Sequence, residues 1–141
     1  MHRYPEQGKT MSFLSYEVRN SVAEIMLNNP PVNALSEQML DEYLAYLAQA
    51  AADVAVRAVI VGSHVPGRFC AGLNLAAVHQ EGASKFRSLL DRLYIQMTDL
   101  QFSMGKPTIA AIGGTARGGG HDTCHLLRHD CCLTHSHVWL P

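Results

Sequence analysis

The sequence predicts a single α/β domain in which the strands of one sheet are joined by covering helices. Short apolar runs rich in β-branched residues, at 56–61 and 108–112, alternate along the chain with segments of helical periodicity. The 141 residues are 48% hydrophobic and 16% charged, a balance that suits one globular domain with its own core. Because strands and helices alternate, we expect right-handed crossover units between parallel strands.

The N-terminal part predicts a hairpin followed by a helix. Residues 12–19 and 22–28 show alternation and β-branched content, and Asn20 and Ser21 between them suit a turn. Ser36 is a good N-cap for the helix that follows. The predicted apolar stripe of this helix is Leu40, Tyr43, Leu44, Leu47 and Ala51. We expect the helix to cover the sheet rather than to take part in chemistry.

A long helix is predicted over 83–103, ahead of the strand at 108–112. Its apolar residues are mostly on one face and are Phe86, Leu89, Leu90, Leu93, Ile95, Met97 and Leu100. Its solvated side is predicted to hold Lys85, Arg87, Asp91 and Arg92. Lys106 and Pro107 end the helix, because proline disfavours the helical conformation in the residue before it.

Two glycine-containing bends each follow a predicted buried strand. The first is Gly-Arg-Phe-Cys-Ala-Gly-Leu-Asn-Leu at 67–75, and the second contains the triplet Gly118, Gly119 and Gly120. Glycine adopts backbone conformations that other residues avoid and lets a ligand approach the main chain closely. Free backbone N–H groups where a helix begins attract negative charge. If the two bends converge, they can offer two amides to one carbonyl oxygen.

Four short segments carry a resemblance to a known family. They are Asn-Pro-Pro-Val-Asn-Ala-Leu at 29–35, Arg-Ala-Val-Ile-Val at 57–61, Phe-Cys-Ala-Gly-Leu-Asn-Leu at 69–75, and the run from Lys106 through Pro107 to Gly120. In their order and spacing they resemble the crotonase superfamily, the enoyl-CoA hydratase/isomerase family. The resemblance implies a spiral of strand-strand-helix units, of which this chain would hold the N-terminal half. It also implies that a CoA thioester lies across the ends of the strands.

The resemblance implies particular site residues. Leu73 and Gly119 match the positions whose amides form an oxyanion hole, which would stabilise a thioester enolate by several kcal/mol. The residues matched to the CoA and acyl path are Val32, Asn33, Ala34, Ala71, Leu73, Asn74, Leu75, Ala76 and Gly119. No permanently bound cofactor is implied, since coenzyme A enters as part of the substrate. Leu73 and Asn74 replace a commoner Ala-Asp pair, which matters little where the contacts are made by the backbone.

The groups for proton transfer depart from the family pattern. Hydratases of the family use two glutamates, the first placed two residues after the glycine triplet and the second about twenty residues further on. Asp122 occupies the first position, with a side chain one methylene shorter that could miss the substrate. The second position falls directly after Pro141. We therefore expect weak or no hydratase activity, and the homo-trimer or hexamer of the family is in doubt for this chain.

The composition changes sharply after the glycine triplet. We divide the chain into a polar leader at 1–11, a crotonase-like core at 12–120 and an atypical tail at 121–141, which holds five of the eight histidines. A one-base shift of reading frame near 120–121 would explain the tail. Read one base later, allowed codons give Met-Thr-Leu-Ala-Ile-Ser-Cys-Asp, a family-like continuation in which Asp122 is an accident. Resequencing the gene across the codons for 118–141 tests this hypothesis.

Two other classes of function stay open. A metal-binding protein could use the tail side chains Cys124, His125, His129, Cys131, Cys132, His135 and His137. Their spacing matches no usual pair of chelating loops, so we predict no metal site. A non-catalytic acyl-CoA binder would keep the backbone pocket without the acid and base. Zinc stoichiometry tests the first class, and CoA-thioester binding without turnover supports the second.

Charge and hydropathy limit the partners. The formal net charge of −1 gives no indication of nucleic-acid binding. No segment approaches the roughly 20 apolar residues of a membrane span, and the N-terminus lacks the apolar core of a secretory signal. The expected partner is therefore an acyl-CoA substrate, with neither nucleic acid nor membrane, and the expected location is cytoplasmic.

Overall fold

The computed structural model describes residues 12–118, except the side chain of Glu81, and the backbone of 129–131. The elements in chain order are β1 (Leu14–Arg19), β2 (Val22–Leu27), β3 (Ala34–Leu35), α1 (Glu37–Ala52), β4 (Ala58–Ser63), β5 (Arg68–Cys70), β6 (Gly72–Leu73), α2 (Leu75–Glu81), α3 (Ala83–Leu90), a π-helical segment (Asp91–Gln96), α4 (Met97–Ser103), β7 (Thr108–Ala111), β8 (Thr115–Ala116) and β9 (His129–Cys131). Strands and helices alternate, as the sequence predicts for an α/β fold.

A five-stranded sheet in the order β1-β2-β4-β7-β9 forms the base of the fold. Strands β1 and β2 pair in an antiparallel hairpin, whereas β2, β4, β7 and β9 pair in parallel. The hairpin turn at Asn20 and Ser21 has positive φ angles of 49° and 64°, which match the right-handed twist of the flanking strands. The predicted hairpin is therefore confirmed, and the parallel strands all direct their carboxyl ends to one edge of the sheet.

Helix α1 is fixed at both ends by side chains. Ser36 accepts a hydrogen bond from the backbone N of Met39 at 3.2 Å, which confirms the predicted N-cap. At the other end Lys106 Nζ donates to the carbonyl oxygens of Ala50 at 2.6 Å, Ala51 at 3.1 Å and Asp53 at 2.7 Å. These carbonyls have no partner within the helix, and a cation there also interacts favourably with the helix dipole.

The buried face of α1 differs slightly from the predicted stripe. Its buried residues are Met39, Leu40, Tyr43, Leu47 and Ala50. The predicted Ala51 is half-buried, and Ala50 takes the core position instead. Residues three or four positions apart share a face of an α-helix. The buried face runs from Leu40 to Tyr43 and from Tyr43 to Leu47, and Ala50, three residues after Leu47, continues it.

The predicted helix at 83–103 contains a π-helical segment in its middle. Its buried residues Leu89, Leu93, Met97 and Gln101 recur every four residues, a longer period than the 3.6 residues of a regular α-helix. The wider turn of the π segment keeps these four positions on one face. Ile95 is 55% exposed, so its predicted place on the apolar face is wrong.

Arg92 does not lie on the solvated side of this helix as predicted. Its Nε contacts Asp41 Oδ1 at 2.6 Å and its Nη1 contacts Glu37 Oε1 at 3.1 Å, and both carboxylates belong to α1. The Arg92 side chain is 21% exposed. The arginine therefore joins the π segment to α1, a contact between elements far apart in sequence that periodicity cannot reveal.

The core lies between the sheet and the helices. Alternate residues of β2 and β4, namely Ala23, Ile25, Val59 and Val61, are fully buried, as expected for strands with one face on the core. Helix α1 contacts β1, β2, the π segment and α4. Among the described residues, no helix has both the length and the apolar character to cross a membrane.

Candidate functional site

Three sequence motifs meet at the carboxyl edge of the parallel strands. They follow β2, β4 and β7, which are neighbours in the sheet. Two short parallel pairings join the segments beyond this edge: β3 with β6, through Ala34 opposite Gly72, and β5 with β8, through Cys70 opposite Ala116. Ligands of open α/β sheets bind outside such carboxyl ends. The two predicted glycine bends are thus brought together by the fold.

Glycines allow the close approach of the two bends. A Cβ atom added to Gly114 would lie 2.2 Å from the carbonyl carbon of Gly67 and 2.4 Å from the backbone N of Arg68. Gly118 has a φ of +52°, and a Cβ there would lie 3.9 Å from Gly72 Cα. The start of the glycine triplet therefore lies directly against the residue that precedes Leu73.

The segment around Leu73 is held by hydrogen bonds on either side of that residue. Ala71 N donates to Val32 O at 3.0 Å, and Asn74 N donates to Leu35 O at 2.9 Å. Asn74 also caps α2, since its side-chain oxygen accepts from Ala77 N at 3.2 Å. These bonds hold the backbone on both sides of Leu73 in place.

Asn33 ties two of the loops together from a fully buried position. Its side chain donates to Phe69 O at 2.8 Å and to Ser63 Oγ at 2.7 Å, and it accepts from Asn29 N at 2.8 Å. The residue has a φ of 53° and is 0% exposed. Asparagine tolerates this left-handed conformation better than most residues. The sequence predicts Asn33 in the ligand path, and the structure shows its buried side chain joining the loops after β2 and β4.

The other predicted site residues differ in exposure. Val32, Ala34, Leu73 and Asn74 are half-buried, whereas Ala71, Leu75 and Ala76 are exposed. Leu75, the last residue of the motif at 67–75, is an apolar side chain that is 69% exposed. Gly119 and Asp122 lie outside the described residues.

Two cavities flank the Gly72–Leu73 strand. The first, of about 270 Å³, is bounded by α1, α2 and α3, with apolar walls from Leu35, Val78, Phe86 and Leu89 and polar groups from Glu37 and Lys85. The second is an open groove of about 360 Å³, lined by Val32, Arg68, Ala71, Thr115 and Arg117. Sequence reasoning missed both arginines. The available signal was the arginine inside each motif, among otherwise small and apolar residues.

Cys70 is a buried thiol inside the site scaffold. Its Sγ donates to Asn33 O at 3.1 Å, and the residue is 2% exposed. Burial raises the pKa of the Cys70 thiol from 9.0 to about 11, and a hydrogen bond from Gly72 N partly opposes the shift. The thiol is therefore protonated at neutral pH and acts as a donor to the loop after β2.

We expect native Cys70 to be alkylated slowly. In a chain with serine at Cys124, Cys131 and Cys132, iodoacetamide at pH 8 should modify Cys70 about a hundredfold more slowly in the native state than in urea. A mass-spectrometric time course measures both rates. Because the folded pKa is the higher one, the thiol's contribution to stability should be lost as pH rises from 9.0 towards 11. Equal rates would contradict the buried placement.

The metal-ligand candidates of the tail lie almost entirely outside the described residues. Of these seven residues only the backbone of His129 and Cys131 is described, as part of β9. Within the described residues there is no group of three or more His, Cys, Asp and Glu side chains that could hold a metal ion.

The comparisons with known proteins agree with the fold and the motifs. The family model for enoyl-CoA hydratase/isomerase matches residues 17–127. The "Probable enoyl-CoA hydratase" of Bacillus subtilis (strain 168) is 37% identical over 120 residues, which cover 82% of this chain and 46% of that protein. The "Enoyl-CoA hydratase domain-containing protein 2, mitochondrial" of Bos taurus is 39% identical over 100 residues, covering 70% and 33%.

A solved structure gives the same result. The crystal structure of an enoyl-CoA hydratase/isomerase from Xanthobacter autotrophicus Py2 aligns with a TM-score of 0.74 and 33% identity, covering 86% of this chain and 46% of that one. The chain thus spans less than half the length of each of these proteins. With the family model matching well over half of its residues, the chain belongs to the enoyl-CoA hydratase/isomerase family and carries the N-terminal part of the crotonase fold.

Proposed function

We propose that the site acts on acyl-CoA thioesters by stabilising an enolate at the thioester oxygen, in a reaction of the enoyl-CoA hydratase/isomerase type. The two donors would be the amides of Leu73 and Gly119. The observation that carries this proposal is the approach of the Gly118 turn to Gly72, since a Cβ atom added to Gly118 would lie 3.9 Å from Gly72 Cα. The first glycine of the triplet thus lies beside the Leu73 segment, which supports the choice of these two donors.

The scaffold around Leu73 suits electrostatic stabilisation. The hydrogen bonds of Ala71 and Asn74 to the β3 segment hold the strand in place before substrate binds. Donors fixed in advance need no reorganisation when charge develops on the oxygen. Leu73 is half-buried, which limits competition from water. Such a pair of donors would lower the barrier to enolate formation by several kcal/mol.

The cavity between α1, α2 and α3 is the proposed place for the acyl chain. Leu35 belongs to the strand paired with Leu73, and together with Val78, Phe86 and Leu89 it gives the cavity an apolar wall. Burial of a hydrocarbon chain against these side chains contributes about 0.8 kcal/mol for each methylene. The polar groups of Glu37 and Lys85 belong to the same cavity.

A non-catalytic acyl-CoA binder is the second candidate. The shorter carboxylate of Asp122 favours it, because proton transfer requires the group to reach the reacting atom. We propose that this chain on its own binds the thioester and turns it over weakly. A hydration assay with crotonyl-CoA separates the candidates, and fast hydration that Asp122→Ala abolishes would contradict the second one.

We expect cinnamoyl-CoA to show a red-shifted absorption band when it binds. Donors at the thioester oxygen polarise the conjugated system, so the band reports the oxyanion hole without requiring turnover. Replacing the Leu73 amide by an ester, through ribosomal incorporation of the matching hydroxy acid, removes one N–H and keeps the side chain. The shift should largely disappear and the affinity should fall by roughly tenfold or more.

The matched control is an ester at Ser84, an exposed residue outside the predicted path and the acyl cavity. This is the second residue of α3, so its N–H has no partner within the helix and its loss should change little. A red shift that survives the Leu73 ester would exclude this amide as a donor. Absence of any shift in the unmodified chain would contradict the proposed function.

A further inference from the structure

Strand β1 lies at one edge of the five-stranded sheet and, among the described strands, pairs with β2 alone. In an antiparallel pair the main-chain groups of alternate residues point to the partner strand, and those of the residues between them point away. Asn28 N donates to Phe13 O at 2.8 Å, so the odd-numbered residues of this segment bond to β2. The main-chain groups of Leu14, Tyr16 and Val18 therefore face the open edge.

The usable part of this edge is short. Ser12 Oγ donates to Leu14 O at 2.6 Å, so the carbonyl at the start of the strand already has a partner. The other end of the strand leads into the hairpin turn at Asn20. Within the described part of the chain, the main-chain groups that are left for a further strand are those of Tyr16 and Val18.

The two faces of β1 differ in polarity. Glu17 and Arg19 lie on the face away from the core, where both are exposed and form an ion pair at 2.6 Å. Val18 lies on the other face and is 38% exposed. Tyr16 shares the face of Val18 and stacks on Tyr46 of α1, with the ring centroids 5.2 Å apart. A second strand at this edge would thus meet charges on one face and apolar side chains on the other.

The two charges are self-complementary across a twofold axis. If two β1 strands pair in antiparallel fashion with Val18 opposite its own counterpart, each Glu17 lies opposite Arg19 of the second copy, an arrangement that stabilises a strand pair. The outward-facing groups of Val18 can then exchange two hydrogen bonds with their counterparts. Centring the pair on Tyr16 would bring Glu17 opposite Ser15 instead, and the charge pairs would be lost.

We propose that two copies of this chain dimerise by pairing their β1 strands about a twofold axis at Val18. The line of contact between the two strands is called the seam here. Edge strands commonly carry charges that keep a second strand away, but opposite charges two residues apart attract their own copies. The contact is isologous and closes on itself, so it predicts a dimer rather than a fibre. Because the seam is short, we expect a Kd in the micromolar range.

Charge exchange between two variants tests the seam and its register together. In Glu17→Lys each pair across the seam becomes positive against positive, and in Arg19→Glu each pair becomes negative against negative. Each homodimer should weaken by about tenfold, because two attractive pairs are replaced by two repulsive ones. Mixing the two variants restores opposite charges in both pairs. With one variant labelled with heavy nitrogen, native mass spectrometry should show the mixed dimer as the main dimeric species.

Arg87→Glu and Asp99→Lys are the matched control variants. Both positions are exposed on helices, and the substitutions change the net charge by the same amounts as the test variants. Each control should dimerise as the unmodified chain does in sedimentation equilibrium, and their mixture should give statistical proportions of dimers. Statistical proportions in the mixture of Glu17→Lys and Arg19→Glu would overturn the proposal. An unmodified chain that stays monomeric up to millimolar concentration would do the same.

Removing the main-chain donor at the axis provides a second readout. Val18→Pro deletes an N–H that points away from β2, so it breaks the seam without breaking a hydrogen bond of the hairpin. We expect the dimer to be lost while the circular dichroism of the chain is retained. A dimer that persists in this variant would contradict the seam. Should the proline unfold the chain, the charge exchange still decides, because it alters only exposed side chains.

Discussion

Replacing Gly114 by alanine should destabilise the chain by about 3 kcal/mol or more, since the added methyl group meets backbone atoms that cannot move aside. Its Cβ would lie 2.2 Å from Gly67 C and 2.5 Å from Gly67 O. Relief requires β8 to separate from β5, which breaks the bond from Thr115 N to Gly67 O at 3.2 Å. Urea denaturation measures the loss in stability, and cinnamoyl-CoA absorption measures the loss of the site.

Gly113→Ala is the matched control for this prediction. The two glycines are neighbours, but a Cβ on Gly113 would have no atom within 4 Å, and its φ is not positive. We expect the free energy of unfolding to change by less than about 1 kcal/mol. Any change should be an increase, because alanine restricts the conformations of the unfolded chain. Equal stability of the two variants would show that β5 and β8 do not approach as closely as described.

Replacing Asn33 by glycine should cost about 2–4 kcal/mol, because it leaves buried polar partners without hydrogen bonds. Glycine accepts the positive φ of 53°, so the loss would reflect the missing side chain rather than backbone strain. The groups that lose this partner are Phe69 O, Ser63 Oγ and Asn29 N, of which Ser63 Oγ keeps its hydrogen bonds with Val65. Thioester binding should weaken as well, since the loops after β2 and β4 would no longer be tied together.

Two further variants sharpen the Asn33 result. Asn33→Asp keeps an acceptor for Asn29 N but loses both donors and buries a charge, so it should destabilise the chain more than glycine does. Asn28→Gly, at an exposed asparagine of the same loop, should change the unfolding free energy by about 1 kcal/mol or less. Denaturant titration of the three variants gives the order of their free energies of unfolding. If Asn33→Gly and Asn28→Gly had the same free energy of unfolding, the hydrogen bonds of the Asn33 side chain would contribute nothing to stability.

The local elements of this protein could be read from its sequence. The β1–β2 hairpin depends on two turn residues and on alternation in the flanking strands, and the start of α1 depends on the Ser36 cap. These signals act over a few residues, so local chemistry suffices. The buried strand β4 and the glycine bends could be recognised for the same reason, and together with the segment at 29–35 they carried the family resemblance.

Contacts between distant segments were decided only by the tertiary structure. The π segment, the short helix α2 and the place of Arg92 depend on what packs against residues 75–103, not on their own periodicity. The buried network of Asn33 depends on partners 30 and 36 residues away. Arg68 and Arg117 lie far apart in sequence and reach one groove only because β5 and β8 pair in parallel. The sequence thus determined the four longer strands, the Ser36 cap and the motifs. The pairing of the short strands beyond the carboxyl edge of the sheet decided which of the motifs share a site.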